Sequence, residues 1–100
     1  AGMPPFGRLA SILISGSDRA AAESYARSIA RTAPPADKIE VLGPAEAPLS
    51  VVRGRYRFRI LIKAPREADI QAYLRVWLAD IPKARGSIRL SIDIDPYNFL

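Results

Sequence analysis

Between Arg55 and Lys63 the chain reads RYRFRILIK, and its chemistry changes at every step. Odd positions carry Arg55, Arg57, Arg59 and Lys63, broken only by Leu61, while even positions carry Tyr56, Phe58, Ile60 and Ile62. A repeat of two is that of a β-strand, whose successive side chains point to opposite faces. A helix would spread these charges around its whole circumference. The segment therefore predicts a strand in a sheet that is buried on one face and wet on the other. Arg53 extends the basic row one step earlier. Residues 53–66 hold six basic and no acidic side chains, whereas nine basic face ten acidic residues elsewhere. The net charge of +5 is thus a patch, not a general property.

The flanking segments supply the rest of such a sheet. RLASILISG alternates Ala10, Ile12 and Ile14 against Leu9, Ser11, Leu13 and Ser15, and Gly16 ends it as a strand. SDRAAAESYARSIARTAPP follows, with Ser17 or Asp18 as the N-cap and Pro34-Pro35 as the stop of an amphipathic helix. A short strand is expected from Ile39 to Leu42, then a break at Gly43-Pro44 and an irregular stretch that returns to strand near Leu49. A second helix is expected directly after Pro65, its stripe being Ile70, Tyr73, Leu74, Trp77, Leu78 and Ile81. IRLSIDID, stopped by Pro96, forms the last strand. The order β-α-β-β-α-β predicts an α+β, ferredoxin-like sandwich: a four-stranded antiparallel sheet with two helices on one face. Its first and third strands are then central neighbours. Residues 1–7 are expected as an extended lead-in and 8–100 as one domain, whose abrupt beginning suggests a piece of something longer.

Composition narrows the chemistry. The 100 residues include no Cys and no His, so disulfides, a thiol nucleophile, cysteine-ligated zinc and an imidazole proton shuttle are all excluded. ISGSDR has one glycine and no lysine, so it is not a phosphate loop. No apolar run approaches the roughly 18 residues of a membrane span, and no signal-peptide layout opens the chain; a cytosolic location is the default expectation.

The strongest candidate site is the outward face of the third strand. Arg55, Arg57, Arg59 and Lys63 are expected there with Arg89 from a flanking strand, and Arg53 at the head of the row. One sign of charge without interleaved carboxylates costs repulsion, and arginine suits bidentate contact with phosphate or carboxylate. Leu13 and Leu61 share the face, which also suits a docking surface. No aromatic residue joins them, unlike the sheet of an RNA recognition motif. Arg66 follows Pro65 at the expected start of the second helix, where free N–H groups favour an anion. Alternatively it pairs with Glu67 or Asp69. Asp93 and Asp95 share a strand side and offer two oxygen ligands to Mg²⁺, but without a third ligand, pairing with Arg89 or the Arg57/Arg59 row is preferred.

PPFGRLA, then IEVLGPAEAPLSVVRGRYRFRILIKAPR, then SIRLSIDIDPYNFL together resemble the C-terminal domain of the primosomal protein PriA family, over nearly the whole chain. The resemblance implies an intact ATP-dependent superfamily 2 DNA helicase that recognises stalled forks and recombination loops and loads the primosome. Its nucleotide-binding motifs (ATP with Mg²⁺) and its cysteine zinc cluster would lie upstream, so no cofactor is expected on this segment. In the family this last domain resembles a small-subunit ribosomal protein and packs on the helicase lobes. It helps bind branched or single-stranded DNA and helps contact the acidic tail of single-strand DNA-binding protein. The family's RGRYRFR stretch matches Arg53 to Arg59. Of its helix entry only Pro65 and Arg66 carry over.

Two readings stand. Either the basic face binds DNA backbone at Arg53, Arg55, Arg57, Arg59, Lys63 and Arg89, or the face docks on helicase lobes while Arg66 receives a carboxylate tail. A stand-alone ferredoxin-like enzyme of the acylphosphatase kind lacks the glycine-rich anion loop it would need.

Overall fold

The computed structural model describes residues 7–94, and its elements run β1 (Arg8–Gly16), α1 (Arg19–Arg31), β2 (Glu40–Val52), β3 (Arg55–Ala64), α2 (Ile70–Leu78) and β4 (Arg89–Ile94). The four strands form one sheet in the order β2-β3-β1-β4, every neighbouring pair antiparallel. This is the connectivity expected of a ferredoxin-like sandwich, with β1 and β3 at the centre. Residues 1–6 of the expected lead-in, together with Asp95 and Pro96, lie outside the described residues.

One face of the sheet carries the core. Ala10, Ile12 and Ile14 of β1 and Phe58, Ile60 and Ile62 of β3 are buried under Ile29 of α1 and Ile70, Leu74 and Trp77 of α2. Burying each large side chain contributes about 1.5–3 kcal/mol. Ala22 and Ala26 let α1 approach the sheet closely, and both are fully buried. Asp18 caps α1 by accepting from the Ala21 amide at 3.2 Å.

Both helices are tied to each other's exits. The Trp77 indole N–H donates to Ile29 O at 3.0 Å and to Thr32 Oγ1 at 3.1 Å, at the end of α1. Tyr73 of α2 donates its hydroxyl to Pro34 O at 2.7 Å, and Tyr25 of α1 donates to Pro82 O at 2.6 Å. Burial raises the pKa of both phenols.

Three expectations need correction. First, β2 is one strand, not two pieces around an irregular stretch. Register shifts between Leu42/Ala45 and Glu46/Val51 absorb the extra residues. An edge strand bonds on one side only, so its prolines cost it little. Second, α2 does not begin after Pro65. Pro65–Ala68 forms a separate turn closed by Ala68 N–H to Pro65 O at 3.0 Å, and Asp69 caps the helix through Ala72 N–H at 3.0 Å. Third, the alternation of β4 with Arg89 outward puts Ile92 on the covered side of the sheet, yet Ile92 is 44% exposed. An open groove of about 550 Å³ separates α2 from β4 there, lined by Leu74, Arg75, Leu78, Ile92 and Ile94.

Candidate nucleic-acid interface

The register converts the alternation of β3 into a map of the helix-free face. Arg57 lies opposite Ser15, and Ser15 lies opposite Arg89, so the three form one row across the sheet. The next row reads Ala45, Arg59, Leu13 and Ser91. Beyond it come Leu42, Leu61, Ser11 and Asp93, and finally Glu40, Lys63 and Leu9. Arg57, Arg59 and Arg89 are thus brought together at the end nearest the β2–β3 turn. The middle carries an apolar strip of Leu13, Leu42 and Leu61, with Leu42 44% exposed and Asp93 at its β4 edge. The far end mixes signs, because Lys63 faces Glu40 across the strands. The cationic surface is therefore half the length that the strand alternation alone implies.

Two arginines do more than face outward. Arg57 donates through Nη1 to the carbonyls of Pro48 and Leu49 at 3.0 and 3.1 Å, which fixes the bulged part of β2. Arg55 extends beyond the end of β1. Its Nη2 donates to Ser15 O at 3.0 Å, Ser15 Oγ at 2.9 Å and Ser87 O at 2.6 Å, while its Nε reaches Ser15 Oγ at 3.3 Å. These acceptors are all uncharged. Among the described residues, neither Arg55, Arg57 nor Arg89 forms an ion pair, so their charges are not cancelled by a bonded carboxylate.

Arg53 does not belong to the row. It occupies the β2–β3 turn with φ +53°, followed by Gly54 at φ +76°, and Val52 pairs with Arg55 around them. Two successive positive φ values make a two-residue type I′ turn, the form that matches strand twist. Arg66 is also displaced from its expected place at the start of α2. Asp69 already holds the N-terminus of α2, and its carboxylate opposes a second anion there. Arg66 itself is exposed and, among the described residues, pairs with neither Glu67 nor Asp69. Asp93 faces Ser11 and makes no ion pair with Arg89 or Arg57 among the described residues, which corrects the pairing expected for it.

The basic side chains of α1 belong elsewhere. Arg19 lies over the Phe58 ring at 5.6 Å on the helix side and pairs with Glu46 of β2, a bond that raises its pKa further. Arg27 pairs with Glu23 at 2.7 Å. The arginines of α1 thus do not extend the sheet patch. Sequence reasoning missed Leu42 and Glu40 on the open face. Their parity with Leu61 and Lys63 is visible only once the β2–β3 register is known.

Fold and face define a small α+β domain with a one-sided sheet, basic at one end and apolar in the middle. The profile of the family described as "Primosomal protein N C-terminal domain" matches residues 1–97, and the chain belongs to this family. Its relatives include the replication restart protein PriA of Rickettsia felis, 43% identical over 99% of this chain, and that of Rickettsia conorii, 44% identical over the same share. The replication restart protein PriA of Bacillus subtilis is 30% identical over 94% of this chain. The chain spans about 15% of the length of the rickettsial relatives and 12% of the Bacillus protein. Among the described residues no helix is long and apolar enough to cross a membrane.

Proposed function

We propose that this domain supplies a DNA-backbone contact to a replication restart protein, through the basic end of its helix-free sheet. The observation that carries the reading is the row Arg57–Ser15–Arg89: two guanidinium-bearing positions flank a small hydroxyl on an open face, without ion pairs among the described residues. Cations held in one plane by neighbouring strands suit phosphates, which attract them independently of base sequence. Arg59 extends the row, while Lys63 stands apart beside Glu40. In this reading the domain is a non-catalytic part of an ATP-dependent helicase that acts in the cytoplasm on forks and single strands. Nucleotide and zinc chemistry would then belong to other segments of that protein.

A second reading draws on Leu13, Leu42 and Leu61, an apolar strip beside the arginines that suits packing against another domain. Its occupants would be the helicase lobes or the single-strand DNA-binding protein.

The test is charge reversal in the intact protein. Arg57→Glu with Arg89→Glu should weaken binding to forked and single-stranded DNA and flatten its salt dependence by about 0.7–0.9 log units per lost contact. Arg89→Glu alone, which breaks no side-chain bond among the described residues, should show half of that change. Unaltered affinity at low salt would overturn the reading and favour the docking one.

A further inference from the structure

Residues 82–87, the larger part of the α2–β4 connection, are anchored at both ends. Tyr25 donates its hydroxyl to Pro82 O at 2.6 Å where the loop begins. Where it ends, Ser87 Oγ accepts from Ser17 N–H at 2.9 Å and from the Ser17 hydroxyl at 2.8 Å. Ser87 O accepts from Arg55 Nη2 at 2.6 Å. Inside, Gly86 turns at φ +62°, and Ile88 N–H closes on Arg85 O at 3.1 Å. Between these anchors lie Lys83 and Arg85, both exposed, while the carboxylate of the connection, Asp80, precedes Pro82. Connections that only join elements are ordinarily mobile. Ordering a loop beforehand removes an entropy cost from binding.

We infer that this loop is a second contact for the DNA backbone, presenting Lys83 and Arg85 beside the basic end of the sheet, and that Arg55 positions the loop instead of touching DNA. The inference rests on the DNA-binding reading above and deepens it. All the bonds from Arg55 Nε and Nη2 go to Ser15 and Ser87, so this side chain spans the sheet end and the loop. The Arg53 turn lies two residues from Arg55, and Arg85 lies two residues from Ser87. The bound strand would therefore pass from the sheet face around its end.

The experiment measures binding of a fluorescein-labelled forked duplex to the intact protein across a salt series. Lys83→Ala with Arg85→Ala should reduce the log–log salt slope by about 1.5 and weaken binding roughly tenfold at low salt, with the melting temperature unchanged. Unchanged slope and affinity would overturn the loop contact. If Arg57→Glu with Arg89→Glu weakens binding while the loop variant does not, the sheet reading stands and this inference alone falls. Arg55→Met should weaken binding non-additively with the loop variant and speed amide exchange at Ser87 and Ile88. Full additivity would make Arg55 a contact and overturn its positioning role. Tyr25→Phe frees the other anchor at Pro82 without changing charge, and it too should weaken binding. Wild-type affinity in Tyr25→Phe would count against preordering of the loop.

Discussion

Arg57 of β3 donates to the carbonyl of Pro48 in the bulged part of β2, at 3.0 Å, and through the same nitrogen to Leu49 O at 3.1 Å. A side chain on the basic face therefore also completes the backbone of the edge strand. That segment cannot satisfy its carbonyls by regular pairing, because the register slips between Glu46 and Val51. A structural role is thus superimposed on the binding role proposed for this residue.

Replacement of Arg57 by lysine should separate those roles. A lysine keeps the charge but carries its donors on a shorter, freely rotating ammonium instead of a fixed planar group. Arg57→Lys is expected to cost about 1 kcal/mol in denaturant unfolding and to speed amide exchange in residues 47–51. DNA affinity at low salt should change far less than in Arg57→Glu. Exchange at wild-type rates would show that the bulge holds itself.

Gly43 sits at φ +106°, and a Cβ there would meet Arg59 O at 2.8 Å. Both the backbone angle and the close approach exclude a side chain. Gly43→Ala should lower stability by about 1–3 kcal/mol, read as a fall in the denaturant midpoint at constant m-value. An unchanged midpoint would mean that β2 shifts register to accommodate the methyl group.

Asp69 and Arg66 should behave oppositely to what an anion site at the entry of α2 would require. Asp69→Ala removes the cap on Ala72 N–H and is expected to cost about 1 kcal/mol. Arg66→Ala should stay within roughly 0.5 kcal/mol of wild type. Titrating the intact protein with an acidic peptide would complete the comparison. Loss of its binding in Arg66→Ala would restore the role that the sequence suggested.

Tyr25 and Tyr73 make stability depend on alkaline pH. Burial raises both phenol pKa values above the ordinary value of 10.0, so the folded state favours the protonated, donating form. The stability of these bonds is present below the unfolded pKa and is lost as pH rises through the folded one. At neutral pH, Tyr25→Phe and Tyr73→Phe should each cost about 1 kcal/mol. The gap to wild type should close as pH rises past the ordinary phenol value, measured by denaturant unfolding at a series of pH values. A gap of constant size across that range would show that the contribution of the hydroxyls does not follow their titration.

Periodicity made most of the architecture legible. The two-residue repeats of β1 and β3, and the i, i+3, i+4 stripe of Ile70, Tyr73, Leu74, Trp77 and Leu78, each belong to one kind of element, and the core they imply is the core observed. The helix-free placement of Arg57, Arg59 and Arg89 followed from the same alternation. What stayed hidden was anything set by pairing between distant segments. The bulges of β2, the turn position of Arg53 and the late start of α2 depend on which hydrogen bonds win locally. Here Asp69 outcompetes the preceding turn as a cap.

Local alternation of charged and apolar side chains thus determined the order of elements, the buried face and the sign of the open one, because a side chain's direction in a strand depends only on its own backbone. Which cations stand together, which are bound to carbonyls and which face a carboxylate was decided by strand register and loop anchoring. Those relations join residues far apart in the chain, as Ser15 is paired with Arg89 and Ser17 is bonded to Ser87, and no local pattern encodes them.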